Sequence, residues 1–397
     1  MTQSNKRKPS RPPQNKTLQL LIALVAAVVV LISRCSEQET PVPPTATVVS
    51  VTAAPTGNVE PISIGQGFGA RKGFWQVYFT APSGSRDAST YIGGIDEQLV
   101  AAINGVQRTL DIAAYEFNLP TLTRAVLDAR ARGVRVRIVT DNDAGIGDDD
   151  TTLTQLRQAG IPIVDDQRSA LMHNKFMILD GITVWTGSWN YTINDTYRNN
   201  NNALVLRSRQ AVQSYQAEFD EMFVEGRFGP TSPSNTPNGS FVQDGVPIQL
   251  YFAAEDDVIT AIDLALTGAD RSIRFMTFVM TVDDMARILL ERAAAGVSVQ
   301  GIFETTGSET QFSELTPLFC AGLDVRQDGN PFVLHHKVFI VDERMVITGS
   351  FNFSANATNN NDENLVIISD PDLAAQYIAE FDRRWAEATV PTRLSCP

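Results

Sequence analysis

Leu171–Asn190 reads LMHNKFMILDGITVWTGSWN, and Leu334–Asn352 reads LHHKVFIVDERMVITGSFN. The second stretch repeats the first. In each, a His is followed two residues on by a Lys, five further by an Asp, and after a six-residue gap by Gly-Ser-x-Asn. The matched sets are His173, Lys175, Asp180, Gly187, Ser188, Asn190 and His335, Lys337, Asp342, Gly349, Ser350, Asn352, offset throughout by 162 positions. Such a repeat predicts one supersecondary unit used twice. What repeats here is polar chemistry, so two halves packed about a pseudo-twofold axis would bring both copies to one site.

Composition sharpens the point. The chain has three His, and all three (His173, His335, His336) lie in the repeat. Of six Lys, three sit in the N-terminal tail, leaving Lys72, Lys175 and Lys337. An ordinary core or surface role would not confine the imidazoles to one motif.

Outward from the motif, each half has the same order. His173–Leu179 and Thr183–Thr186 read as strands joined by a turn at Asp180-Gly181. Before them come strand Thr109–Tyr115, helix Leu119–Arg132 stopped by Gly133, and strand Val134–Thr140. Strand Ala203–Leu206 and helix Gln210–Phe223 follow. In the second half, Ser272–Phe278, Thr281–Ala295 and Val297–Phe303 precede the motif, and Leu365–Ile368 and Leu373–Trp385 follow it. Strands alternating with helices predict an α/β fold with a mixed sheet flanked by helices in each half.

The residue types suit phosphoryl chemistry. On a strand, residues two apart share a face, so His173 projects with Lys175 and His335 with Lys337, while His336 falls on the opposite face. Two Lys and two Ser/Asn pairs around one point suit a phosphoryl group, whose transfer depends on positioning and charge stabilisation. Two His can divide the work, one attacking phosphorus and the other donating to the leaving oxygen, provided their pKa values are pushed apart. Lys carries the charge, so no metal or other cofactor is expected; the His and Cys pattern offers no zinc set. Gly65–Gly73 (GQGFGARKG) lacks a flanking strand and helix, which argues against nucleotide binding. Asp141, Asp143, Asp148, Asp149 and Asp150 read as a solvated loop.

The N-terminal region has its own logic. Residues 1–34 hold six Lys or Arg and no acidic residue, and the apolar run Leu18–Ser33 lies within them. This is the pattern of a membrane anchor with a cytoplasmic N-terminus or, second, of a cleaved export signal. Because this region carries +6 of a net −13, the remainder carries −19, which disfavours non-specific nucleic-acid binding. The expected organisation is a basic tail and anchor or signal over 1–34 and a Pro/Thr-rich linker over 35–69. A first lobe over 70–228, a linker over 229–244, a second lobe over 245–388 and a tail over 389–397 complete it. Cys320 and Cys396 are either a disulfide or two free thiols.

Both copies fit H-x-K-x4-D-x6-G-S-x-N, and over residues 70–388 the chain resembles the phospholipase D superfamily. The resemblance implies a bilobal α-β-α-β-α fold with the site between the lobes. It implies His173 as nucleophile and His335 as general acid, with Lys175, Lys337, Asn190 and Asn352 on the phosphate and Ser188 and Ser350 in support. Asp180 and Asp342 are expected to stabilise structure. A Glu that orients a catalytic His often follows Gly-Ser-x-Asn in this family. Glu363 fits that place, whereas its counterpart in the first half is Asn201. The implied activity is hydrolysis of phospholipid phosphodiesters by a membrane-tethered, extracytoplasmic or secreted enzyme, active as a monomer at a lipid surface. An exported endonuclease and a cardiolipin synthase-like phosphatidyltransferase are the alternatives. A non-catalytic module is disfavoured by two complete motifs.

Overall fold

A computed structural model describes residues 58–396. The expected anchor or signal over 1–34 and most of the 35–69 linker lie outside the described residues. The first lobe runs β1 (Glu60–Ile62), β2 (Gly67–Lys72), β3 (Trp75–Thr80), α1 (Asp96–Gly105), β4 (Thr109–Ala114), α2 (Pro120–Ala131) and β5 (Arg135–Thr140). It continues through α3 (Leu153–Gln158), β6 (Ile163–Asp165), β7 (Lys175–Leu179), β8 (Thr183–Gly187), α4 (Ile193–Tyr197), β9 (Asn202–Leu206) and α5 (Arg209–Asp220). The second lobe runs β10 (Ser240–Gln243), β11 (Val246–Ala253), α6 (Val258–Thr267), β12 (Ser272–Thr277), α7 (Asp283–Ala294), β13 (Ser298–Phe303), α8 (Leu315–Cys320) and β14 (Asp324–Gln327). It ends with β15 (Lys337–Val341), β16 (Met345–Gly349), α9 (Ala355–Asn359), β17 (Glu363–Ile368) and α10 (Pro371–Glu387).

The sheets repeat one another. The first has the order β1-β2-β3-β9-β8-β7-β4-β5-β6, and the second β10-β11-β17-β16-β15-β12-β13-β14. In both, the motif hairpin lies at the centre, antiparallel to β4 or β12, and parallel strands continue beyond it. Every residue of β7 and β15 is buried, which is why their apolar runs are continuous rather than alternating. Outer helices cover each sheet with a separate apolar cluster. The third cluster is shared: α5 and α10 contribute Tyr215, Phe219, Tyr377 and Phe381 to a core that draws on both sheets. Tyr215 meets Phe252 edge-on at 5.1 Å, and Tyr377 meets Phe79 at 5.0 Å, each across the lobe boundary. The layers are therefore α-β-α-β-α.

Local chemistry sets the helix ends at this junction. Ser208 caps α5 by accepting from Ala211 N, and Asp370 caps α10 by accepting from Asp372 N and Leu373 N. The other oxygen of Asp370 accepts the Trp75 indole N–H at 2.9 Å, pinning α10 to the first lobe. In the motif hairpins, Asp180 accepts from the backbone N–H groups of Gln107, Arg108 and Thr109, and Asp342 from those of Asp270, Arg271 and Ser272. Although burial opposes it, these donors hold both carboxyls below their ordinary value. Gly187 (φ 138°) and Gly349 (φ 150°) stand where an added Cβ would meet a backbone oxygen, of Asn202 and Asn364 respectively, at 2.4 and 2.2 Å. That close approach explains the Gly of Gly-Ser-x-Asn.

The structure redraws four boundaries. Residues 60–62 and 67–69, expected in the linker, belong to β1 and β2, which extend the first sheet antiparallel to β3. The Gly65–Gly73 segment thus contributes β2, which pairs with β1 on one side and β3 on the other, its short, Gly-rich pattern lacking an apolar run that would announce a strand. Residues 240–243 of the expected second linker form β10, paired with β11. The tail over 389–397 is tied down: Thr389 pairs with Gln327, and Cys396 is bonded to Cys320. Finally, the motif strands begin at Lys175 and Lys337, so each His precedes its strand.

The disulfide joins residues 76 apart in sequence. Closing a loop of that length restricts the unfolded chain by about 2–4 kcal/mol. The double variant Cys320→Ser/Cys396→Ser is expected to lower the unfolding free energy by that amount in a denaturant titration. An unchanged midpoint would contradict a structural role.

Candidate active site

The two motif hairpins approach one another across the lobe boundary, and each takes its partners from the opposite lobe. His173 N donates to Asp362 O at 3.0 Å, and His335 N to Asn200 O at 2.9 Å. Through these contacts His173 Nδ1 lies 2.7 Å from Glu363 Oε2, and His335 Nδ1 lies 3.0 Å from Asn201 Oδ1. Each imidazole is thus oriented by the other lobe. Ser350 Oγ donates to Glu363 Oε2 at 2.7 Å, and Ser188 Oγ to Asn201 Oδ1 at 2.9 Å, so the motif serines hold the groups that hold the histidines. A matching pair of amides locks the lobes beneath: Asn364 accepts from Thr186 and Tyr215, and Asn202 from Thr348 and Tyr377.

The lysines are equally symmetric. Lys175 Nζ donates to His173 O at 2.7 Å and Lys337 Nζ to His335 O at 2.8 Å. Lys175 lies over the Tyr115 ring and Lys337 over the Phe278 ring, and the same two rings meet His173 and His335 edge-on. The amide oxygens of Asn190 and Asn352 are buried with no hydrogen-bond partner among the described residues. The structure therefore brings together His173, His335, Lys175, Lys337, Ser188, Ser350 and Glu363. Asp180 and Asp342 stand at the far ends of their strands, on backbone amides. His336 points away, between Asn202 Nδ2 at 3.1 Å and Glu380 Oε1 at 3.3 Å.

Burial and mutual charge set the protonation states. Burial, then Lys175 and Lys337, hold the His173 imidazole well below its ordinary value. Burial, then Lys337 and Lys175, do the same to His335. Burial brings Lys175 down to about 8, and burial together with Lys175 pushes Lys337 well below the ordinary range. Glu363 is pushed up to about 7 by burial, against the pull of Lys175. Two buried lysines thus lie beside two imidazoles, with the carboxyls of Glu363 and Asp195 close to both lysines.

Several residues here escaped the sequence reading. Asp195 accepts from Asn190 N at 2.9 Å and reaches within 3.5 Å of His335 Nδ1. Glu116 is pushed up to about 7, by burial first and by Asp195 next. Tyr115, Glu116 and Phe278 follow the carboxyl ends of β4 and β12, where ligands of α/β sheets gather; that position was the available signal. Asp195 has no acidic counterpart in the second half, where Ala357 stands, so the repeat could not reveal it.

A family model described as "Cardiolipin synthase, PLD-like domain" matches residues 99–223 and 262–385. The chain belongs to the phospholipase D-like family. Among relatives, the mitochondrial cardiolipin hydrolase of Xenopus tropicalis is 41% identical over 130 residues, 32% of this chain and 60% of that protein. A phospholipase D of Rickettsia conorii is 37% identical over 118 residues, 30% of this chain and 59% of that protein. The matched part thus spans about 60% of the length of these phospholipase D-like relatives. Phosphatidylserine synthase of Haemophilus influenzae shares the fold, with a TM-score of 0.60 at 13% identity, over 76% of this chain and 86% of that one.

Glu363 makes the stability of the fold depend on pH. Its carboxyl, at 4.5 when unperturbed, sits near 7 in the fold. A group raised in this way stabilises the fold fully below its unfolded pKa, and that contribution is lost as pH rises through the folded value. Glu363→Gln cannot ionise, so the difference in melting temperature between variant and wild type should move in the variant's favour from pH 5 to pH 8. A difference independent of pH would contradict the assigned burial.

Proposed function

We propose that this chain is a phosphodiesterase that cleaves phospholipids on the headgroup side of phosphorus through a phosphohistidine. The observation that carries the reading is the hydrogen bond between Glu363 and His173. A carboxylate on Nδ1 keeps the proton there and leaves the Nε2 lone pair free to attack. Low basicity from burial and two lysines keeps that lone pair unprotonated at neutral pH.

The reaction divides between the histidines. His173 Nε2 attacks phosphorus; the P–O bond to the headgroup breaks as His335, protonated, gives its Nε2 proton to the leaving oxygen. His335 then takes a proton from water, whose oxygen attacks phosphorus, breaking the N–P bond and releasing phosphatidic acid. Asn201, unlike Glu363, carries no charge, so the two imidazoles face different partners in accordance with different roles. A bound phosphodiester supplies the negative charge that favours the imidazolium of His335. Lys175, Lys337, Asn190 and Asn352 hold the non-bridging oxygens, and Ser188 and Ser350 keep Asn201 and Glu363 in place.

Relatives named as cardiolipin hydrolase and phospholipase D support a lipid substrate. The acidic balance outside residues 1–34 also supports lipid over nucleic acid. We place the catalytic region outside the cytoplasm, attached through the N-terminal apolar run. The Cys320–Cys396 bond suits an oxidising compartment. Among the described residues no helix is long and apolar enough to cross a membrane. Because one chain supplies both motifs, a monomer is competent.

The test compares phosphatidic acid release from phosphatidylcholine and cardiolipin vesicles with cleavage of single-stranded DNA, using His173→Ala as the blank. Phosphatidic acid release should fall at least about a thousandfold in the variant. DNA cleavage lost in the variant, with no lipid turnover by the wild type, would overturn the lipid reading.

A further inference from the structure

Behind the active site, the two halves differ in a way the reaction does not use. Glu380 of α10 is fully buried and is met by two guanidinium groups, Arg383 at 2.8 Å and Arg384 at 3.2 Å, and by the ring of His336 at 3.3 Å. Its counterpart in the first half, 162 residues earlier, is Glu218 of α5, also buried. There the matching positions are Glu221 and Met222 in place of the two arginines, and Asn174 in place of His336. Asn174 donates to Glu218 Oε1 at 2.8 Å, and among the described residues no guanidinium forms an ion pair with this carboxylate. Instead one oxygen each of Glu218, Glu221 and Glu255 lies within 4.8 Å of the other two. Glu221 is 5% exposed, and its Oε2 is buried with no hydrogen-bond partner among the described residues, although Asn235 hydrogen-bonds to the side chain.

We propose that Glu218, Glu221 and Glu255 bind a calcium ion that takes the place held by Arg383 and Arg384 in the other lobe. Two buried carboxylates and a half-buried one converge here with only Arg227 nearby as a counter-charge, which is costly. The donors are all hard oxygens, which suit calcium or magnesium and not zinc or copper. Calcium bonds of roughly 2.3–2.6 Å let one ion bridge oxygens up to about 5 Å apart, whereas magnesium at about 2.0–2.1 Å needs them within about 4 Å. The ion would tie the C-terminal end of α5 to the connection between β11 and α6, and so join the lobes. Asp256 is not needed for it, since its oxygens already accept from Ser234, Thr236 and Phe252 N. Glu218 also steadies Asn174, which lies between His173 and Lys175 and accepts from Asn364 Nδ2 at 2.8 Å. The role is structural; the chemistry at His173 runs without it.

The test is thermal unfolding of the full-length protein, stripped with EDTA and returned to buffer or to 5 mM calcium chloride at pH 7.5. Calcium should raise the melting temperature by about 3 °C or more, and magnesium by less. Glu221→Arg copies Arg383 into the first lobe. It should abolish the calcium response and melt higher than the wild type in the absence of calcium. Glu255→Gln, a milder change, should also lose most of the response. No response in the wild type would overturn the proposal, as would an equal response in both variants. So would a wild type that is stabilised by moving from pH 8 to pH 6 but indifferent to calcium, because the carboxyls would then share protons, under the influence of nearby Asp362 and Arg227, rather than an ion.

Discussion

The hydrogen bond from His173 to Glu363 crosses from one lobe to the other, and the rest of the structure serves to keep it. It requires the motif hairpin of the first lobe to face the Gly-Ser-x-Asn turn and following loop of the second. The paired contact of His335 with Asn201 requires the reverse at the same time. Only an arrangement close to a twofold axis satisfies both. The shared core of α5 and α10, the Asn202 and Asn364 networks and the Asp370 cap against Trp75 all act on that same junction. Neither lobe alone presents an oriented imidazole.

Duplication explains the scaffold, and the departures from symmetry give the two imidazoles different surroundings. Where the halves agree, as at Lys175 and Lys337, each buried lysine donates to the backbone oxygen of its own motif histidine. Where they differ, as at Asn201 and Glu363, one imidazole is hydrogen-bonded to a carboxylate and the other to an amide, with the Asp195 carboxyl farther off at 3.5 Å. Asp195 and Glu116 add acidic groups on one side only. A symmetric site would hold a phosphate well but would offer no reason for one histidine to attack and the other to donate. The charge asymmetry around Glu218 and Glu380 shows the same divergence in the supporting layer.

Much of this was legible in the sequence because the decisive residues recur at one offset. The repeat singled out His173 and His335, whose hairpins the structure brings to one junction, and the βα order of each half gave the mixed sheets. The edges of the fold were not legible. β1, β2 and β10 are short strands whose stability comes from pairing with neighbours distant in sequence, and their own residues carry no apolar period. The contact of each histidine with the opposite lobe was hidden as well. Glu363 was visible as a candidate, but which imidazole it touches depends on how the lobes pack. Asp195 and Glu116 have no repeat partner and depend on burial for their character. The Cys320–Cys396 pairing likewise required knowing that the tail returns to α8.

Because the protein has only three histidines, selective 15N labelling of histidine gives a spectrum in which each ring can be assigned by single variants. The account requires that His173 and His335 be neutral with the proton on Nδ1 at pH 8, where Glu363, pushed up to about 7 by burial, is ionised. It further requires that Glu363→Gln shift the His173 ring signals while leaving His335 nearly unchanged, and that Asn201→Ala do the converse. A His173 ring that titrates near 6.5, or that carries its proton on Nε2, would contradict an imidazole held by the opposite lobe.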